Sequence, residues 1–557
     1  CVIRRMARSP KLFGGGTVLG VMPDWNPAEM IGLAPRRLAA SLYRELITKS
    51  VWRRAREAMG YRELPPVELM VLIGGRPFID VRASFNSFLP SGLGRETSEL
   101  LVGAWLDRLD RHPNLHDKIE FDVAQTVLDF CFDRTLDERY PGLLDRDGRA
   151  EFRDALRRLT FKCLDSGPGG TLERALGLCG ELARRQAERA LVAPEPRDGA
   201  SASHIPLVAA LLDECKRLGT MPFSIIARHA FIAESLLRTA VLRGAFGPER
   251  LRQFKASIRT VSGEMTVDFK AVLDGGLGRD EFMSRYGHLR PGTYDILSPR
   301  YVERADLFSG GRKSAPPPPG FEFDSRESAA IAALFAEAGM GRIDAPRLEA
   351  YARAAVAGRE KAKFIFTRNL SDALEHLAAW GRGIGLSRED ISFLDIIDCL
   401  HWDTHSLLDS PKAYFGSKAR EGREFYDLTR SLKLGYIIRS PRDVLVVPRH
   451  RSAPNFVGKV PVEADVAHLD SESLCDDSIA GRIVCIENAD PGFDWVFTRN
   501  IAGLVTMFGG ANSHMAIRCA EYGLPAAIGV GEKLFLEISS GGRCCLNPEE
   551  GTIRMAE

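Results

Sequence analysis

The sequence predicts a multidomain protein with a large, mainly α-helical central domain followed by a small α/β domain at the C-terminal end. Three observations carry this. Across residues 22–430 apolar side chains recur at helical spacing, as at Leu38, Leu42, Leu46 and Val51. From about residue 440 the pattern changes to short apolar runs between turn residues, as at 483–486, 504–506 and 526–530, which suit buried strands. A chain of 557 residues also has room for about two to four domains.

Composition narrows the function classes. The formal net charge of +1 gives no global basic field for nucleic acid. No apolar run approaches a membrane span, and the first residues do not read as a signal peptide. The 11 cysteines are scattered without a CxxC pair, which points to a reducing cytoplasm rather than a disulfide or zinc framework.

In chain order, residues 1–21 read as a linker or the end of a missing upstream domain. Their GGGTVLG stretch is no phosphate loop, because no Gly-Lys-Ser/Thr follows. PDWNPAEMIG, 23–32, reads as a helix capped by Asp24 or Asn26 with Pro27 at its first position. The Trp between those two polar residues makes the segment a candidate for a site. Residues 36–56 read as helix, and 69–73 as a strand ending at Gly74 and Gly75. In FIDVRASFNSF, 78–88, Asp80, Arg82, Ser84 and Asn86 alternate with apolar residues, the pattern of a half-exposed strand. On that face Arg82 is the best donor for a carboxylate or phosphate.

Residues 97–191 read as mostly helical and 193–203 as a surface loop. Helices follow over 206–217 and 223–243, with His229 read as a satisfied core histidine. YGHLRPGTYDILSPRY, 286–301, is too rich in Gly and Pro for a helix and places His288, Arg290, Tyr294 and Asp295 on a loop. The run 309–320, with four consecutive prolines, reads as a stiff linker within the helical region. A second helical block spans 325–408. Arg359 and Lys363, four apart, read as a solvated face, and Ser387 with Asp390 as a capping box. Residues 410–430 read as a polar connection to the last domain.

The most informative stretch is GLVTMFGGANSHMAIRCAEYGLPAAIGVG, 503–531. It reads as strand, glycine turn, helix and strand. Gly509 and Gly510 allow a tight turn, Ser513 caps the helix, Gly523 stops it, and Pro525 follows. His514 is left on the first helical turn beside a glycine loop. There, unpaired N–H groups and the helix dipole favour an anion, and a neutral imidazole can take a phosphoryl group. Strands at 444–447 and 543–546, with a turn at 547–551 into a last strand, complete the domain from 440 to 557.

GGANSHMAIRCAEYGLPAAIG resembles the phosphohistidine signature of the swivelling domain of phosphoenolpyruvate-utilising enzymes, the phosphoenolpyruvate synthase, pyruvate phosphate dikinase and rifampicin phosphotransferase group. Gly509, Gly510, Ser513, His514, Ala516, Ile517, Gly523, Pro525, Ala526 and Gly529 match it in order. Residues 487–506 resemble the segment leading into the signature. The 286–295 loop, 388–400 and 23–32 resemble short phrases of the group's central domain. One departure is that Ala520 stands where the group has Arg; Arg518, two residues earlier, points to a different side of the helix.

The resemblance implies that His514 takes a phosphoryl group derived from ATP and donates it to an acceptor, with AMP and inorganic phosphate as the other products. Gly509, Gly510 and Ser513 would form the phosphate loop. Arg82, His288, Arg290 and Asp295 are the candidate acceptor-binding residues, with His288 able to take the acceptor's proton. Mg-ATP, with Mg2+, would sit on an ATP-grasp domain or protein that is missing or separate, and no metal is expected in this chain. The expected partners are that domain and a small-molecule acceptor, with neither nucleic acid nor membrane. The acceptor is expected where the 287–295 loop faces a strand over 80–86. Residues from about 440 are expected to swing as one body on connections at 410–422 and 439–455. The alternative is a non-catalytic phosphorylatable relay or regulatory partner.

Overall fold

The computed structural model describes residues 11–164, 167, 169–192, 201–308, 320–405, 410–445, 454–470, 473, 477–488, 491–510 and 513–556. The helices that matter for the site are α1 (Val51–Met59), α2 (Val81–Phe88), α3 (Met221–Leu242), α4 (Val261–Leu273), α5 (Ala345–Gly383), α6 (Pro411–Ser431) and α7 (His514–Tyr522).

The helical region is assembled around α5. Asp344 caps it by accepting the Arg347 N–H, and a proline sits in its first turn. Buried Leu348, Tyr351, Ala355, Ala362, Phe366, Leu370, Leu374 and Leu377 follow helical spacing down its length. That face packs on α3 and on the helix Ser201–Glu214. His229 of α3 is a core histidine, as its apolar neighbours suggested. Thr171 Oγ1 and Tyr351 Oη lie 2.9 Å from its two ring nitrogens. Burial, then Arg228, pushes its pKa down to about 3, so the ring is neutral.

Several expected elements are corrected. Residues 19–20 form a strand, β1 (Leu19–Gly20), rather than part of a linker. It lies between β3 (Arg76–Asp80) and β4 (Ile437–Ile438) in a four-stranded sheet of order β2-β3-β1-β4, with β2 at Met70–Ile73. The half-exposed strand expected at 78–88 ends at Asp80, whose carboxylate caps α2 by accepting the Ala83 N–H. All eight residues of α2 are buried. Its polar side chains have partners inside the protein: Ser84 donates to Asp24, and Asn86 bonds the backbone of Phe13 in both directions. The alternation of polar and apolar residues therefore records internal hydrogen bonds and not a wet strand face.

Residues 410–430 are not an open connection; they lie in α6, capped by Ser410. Pro441–Leu445 is a 3₁₀ turn where a strand over 444–447 was expected, and 446–447 lie outside the described residues. The Pro-rich run 309–319 and most of the 193–203 loop also lie outside them.

The C-terminal unit is a seven-stranded mixed sheet of order β11-β10-β6-β7-β8-β9-β5. The strands are β5 (Asn455–Val457), β6 (Val462–Leu469), β7 (Ile483–Ile486), β8 (Gly503–Thr506), β9 (Ala526–Ile528), β10 (Arg543–Asn547) and β11 (Thr552–Met555). β6 to β9 are parallel, and the outer pairings are antiparallel. β7 and β8 are buried along their whole length, as continuous apolar runs of a covered parallel sheet should be. Helix α7 leaves the sheet after β8 and returns the chain to β9, which places its N-terminus beyond the carboxyl end of β8, where α/β sheets characteristically bind ligands.

Candidate functional site

Helix α7 begins as its sequence dictates. Ser513 sits in the extended region and its Oγ accepts the Ala516 N–H, while Gly523 ends the helix in the left-handed conformation. Gly509 holds a φ of 137°, which a residue with a side chain rarely adopts. His514 follows the cap directly and is buried.

Both ring nitrogens of His514 face carboxylates. Nε2 lies 2.6 Å from Asp494 Oδ1, within the same sheet unit. Nδ1 lies 2.9 Å from Glu360 Oε2, which comes from α5 in the helical region. A neutral imidazole has only one N–H to donate, so two carboxylate partners require an imidazolium. Burial opposes the charge, but Asp494 and Glu360 outweigh it and raise the pKa to about 9. Glu360 and Asp494 are correspondingly held below the usual carboxylate range by His514 against their own burial.

The ring opens onto two cavities. The smaller, about 40 Å³, is lined by His288, Glu360, Lys363, Thr367, Asp494 and His514, among others. The larger, about 470 Å³, reaches from His514, Gly510 and Ser513 past Arg359, Glu360 and Lys363 to Trp25, Tyr43, Trp52, Phe121, Phe223 and Tyr294. Its far wall is an ionic network of Asp24, Arg56, Glu120 and Arg228. Asp24 and Trp25 thus belong to the cavity wall, in the segment singled out by sequence.

Arg359 and Lys363 line the same cavity as His514, which corrects their reading as a solvated face. On one helix turn, an inward-facing ionic row and a wet one have the same spacing; the C-terminal unit covering that turn decides between them.

The other candidates divide. His288 lines the small cavity, and its Nε2 lies 3.3 Å from the Phe364 carbonyl. Burial, then Arg368, holds its pKa well below the ordinary value, so it is neutral at pH 7. Arg290 also lines the small cavity, but its guanidinium is engaged within the protein: it donates to Glu375 and Ser371 and to the carbonyls of Asp295 and Ser298. It therefore clamps its own loop to α5. Asp295 accepts the Leu297 N–H, and it is not among the residues lining either cavity. Arg82 sits in α2, lines neither cavity, and receives no strand-face role. Sequence reasoning missed Asp494 and Glu360. The only signal for Asp494 was its place in the segment leading into the glycine turn; Glu360 gave none beyond adjacency to Arg359.

The C-terminal unit docks closely on the helical region. Met265, Phe269, Phe282, Tyr286 and Leu289 share one buried cluster with Phe493, Trp495, Phe497 and Met515. Arg518, two residues before Ala520, points into the contact with the helical region. It reaches Thr266 Oγ1 and the Ser262 carbonyl of α4, and its Nε is 3.9 Å from Asp494 Oδ2. Gly492 packs directly on the backbone of Arg290 and Pro291, where a Cβ would overlap both. Gly492→Ala is therefore expected to separate the two units while leaving the sheet unit folded. Small-angle scattering unchanged from wild type would show the expectation to be wrong.

The clamp also has a pH signature. A group whose pKa rises on folding stabilises most below its unfolded value, about 6.5 for His. That contribution is lost as pH rises through the folded value of about 9. The melting temperature of wild type should exceed that of His514→Gln at pH 6, and the difference should shrink by pH 10. A constant difference would contradict an imidazolium clamp.

Residues 479–551 match the family described as PEP-utilising enzyme, mobile domain. The chain is 36% identical over 104 residues to a rifampicin phosphotransferase of a Streptomyces species, covering 19% of this chain and 11% of that protein. It is 36% identical over 98 residues to the rifampicin phosphotransferase of Streptomyces sviceus, covering 18% and 10%. The matched segment thus spans about a tenth of the length of these relatives.

Proposed function

We propose that this chain, whose residues 479–551 match the mobile domain of PEP-utilising enzymes, is a phosphotransferase component in which His514 takes up a phosphoryl group and passes it to an acceptor in the adjoining cavity. The observation that carries the reading is the position of His514: at a helix N-terminus, on the wall of a 470 Å³ cavity shared with Arg359 and Lys363. A phosphoryl group in transfer spreads negative charge over its oxygens, and preorganised cations beside it stabilise that charge. Arg359 and Lys363 supply them. His288, neutral and beside the small cavity, is placed to hydrogen-bond an acceptor bound there. The cavity's aromatic and ionic walls suit a small molecule bearing a nucleophilic group, which favours transfer over a purely regulatory relay.

The donor in this reading is ATP on an ATP-grasp domain or protein, with Mg2+ and with AMP and phosphate as the other products. Among the described residues no three His, Cys, Asp or Glu side chains are grouped to hold a metal ion. Docked as it is, the C-terminal unit corresponds to the acceptor half of the cycle. To be reloaded it has to leave, because transfer demands near-contact geometry at each site. Residues 411–422 lie in α6, which leaves the stretch between β4 at Ile438 and β5 at Asn455, the second connection expected from sequence, as the link in this reading.

The test supplies the phosphoryl group chemically. Phosphoramidate should load His514, read as acid-labile phosphate on its peptide by mass spectrometry. Adding a panel of small acceptors, rifampicin and pyruvate among them, should discharge it with a phosphorylated product. Failure of His514 to load, or loading that no acceptor discharges, would count against the reading; the second result favours the relay.

A further inference from the structure

We propose that Asp494 and Glu360 are paired positioning residues that keep His514 protonated on the nitrogen opposite its phosphoryl group, so that the acceptor's proton departs on the carrier itself. The proposal rests on His514 as the phosphoryl carrier and concerns how that carrier is tuned.

The geometry is specific. The two carboxylates take opposite ends of one ring at 2.6 Å and 2.9 Å, and both are buried. Whichever nitrogen carries phosphate, the other faces a carboxylate. Asp494 belongs to the same unit as His514 and accompanies it; Glu360 is met only on docking. Asp494 is in turn held in place: its second oxygen faces Arg518, which is buried and also bonds Thr266, Tyr522 and Glu521. The arginine displaced along α7 thus supports the carboxylate that orients the carrier.

The step balances. In the loaded carrier one ring nitrogen bears PO3²⁻ and the other bears a proton held by a carboxylate. The N–P bond breaks and the P–O bond to the acceptor forms. The electron pair of the broken bond returns to the ring nitrogen, which takes the acceptor's O–H proton. The ring is left as imidazolium with a proton on each nitrogen, and the acceptor leaves as its phosphate ester. The His514 ring lies between two carboxylates, the surroundings such an imidazolium would need. A proton on the far nitrogen also makes the ring leave as neutral imidazole rather than as an anion, which a phosphorylated imidazole lacking that proton could not do.

Other titratable groups lie around the ring or line its cavities. Arg359 and Lys363 come from α5, His288 from the loop, Arg518 and Glu521 from α7, and Asp117 and Lys118 from the turn across the large cavity. The cations among them oppose protonation, so the two carboxylates must carry the effect.

The experiment uses the full chain. In ¹⁵N-labelled protein the His514 ring is expected to titrate near pH 9. Asp494→Asn and Glu360→Gln should each lower this by about one pH unit or more, and Asp494→Glu should restore it. A wild-type ring titrating near 6.5 overturns the proposal. After loading by phosphoramidate, hydrolysis of the phosphohistidine without acceptor gives a second reading. One of the two variants should slow it, by about twofold near pH 8 and by close to tenfold above pH 10, as a one-unit fall from about 9 requires, and which one identifies the phosphorylated nitrogen. If neither variant changes the rate or its pH profile, the proposal is wrong while His514 remains the carrier. If wild-type His514 cannot be loaded at all, the carrier reading fails instead.

Discussion

Replacing His514 with Ala is expected to reduce phosphoryl uptake to background. His514 combines a ring nitrogen, a helix N-terminus and an open cavity in one place. The loss should be of function and not of fold. Ser513 still caps α7 through the Ala516 N–H, and Met515, Ala516 and Cys519 still bury its apolar face. The vacated carboxylates keep cations nearby, with Arg518 beside Asp494 and Arg359 beside Glu360. Circular dichroism and the elution volume should match wild type. Phosphate found on the His514→Ala protein after phosphoramidate treatment and acid-lability analysis would show that another residue is the carrier.

The parts of this site visible in sequence were those fixed by local chemistry. Gly509, Ser513 and Gly523 each answer a backbone need within one turn of the helix, so their spacing alone places His514. The strands at 483–486 and 504–506 were legible because a covered parallel strand is apolar at every position. What the sequence hid depends on contacts between distant residues. Glu360 meets His514 across 154 residues of chain, and nothing local separates it from any acidic residue on a helix. Arg82 misled for the converse reason. The alternation around it looked like a strand facing water, yet Ser84 and Asn86 are satisfied by Asp24 and Phe13, partners about 60 to 70 residues away. The short strand β1 was assigned to the end of an upstream domain or to a linker because two residues carry no periodicity; its pairing with β3 and β4 defines it.

Asp24→Ala is expected to destabilise the protein by about 3–5 kcal/mol, the usual cost of removing one member of a buried ion pair. Asp24 accepts from Arg56 at 2.6 Å and 2.8 Å and from Ser84 Oγ at 2.6 Å. Arg56 has Ser87 as a further acceptor, and Glu120 lies 3.9 Å away but is already paired with Arg228. Removing the Asp24 carboxylate therefore leaves a guanidinium buried against Phe88 with too few acceptors, and the missing charge cannot be replaced by water. Backbone strain adds to this. Asp24, Trp25 and Asn26 hold φ values of 46°, 56° and 29°, a left-handed stretch that non-glycine residues adopt only when their surroundings compel it. The Asp24 side chain and the hydrogen bond from Tyr43 to the Trp25 carbonyl are what compel it. Without them Trp25 should move, and with it the wall of the large cavity. Urea unfolding measures the first effect, and a loss below about 1 kcal/mol would mean that the pair is not the anchor described here. Loading by phosphoramidate measures the second: His514, on the other unit, should still accept phosphate, while discharge to an acceptor should fail. Impaired loading in Asp24→Ala would tie this cluster to the carrier rather than to the acceptor wall.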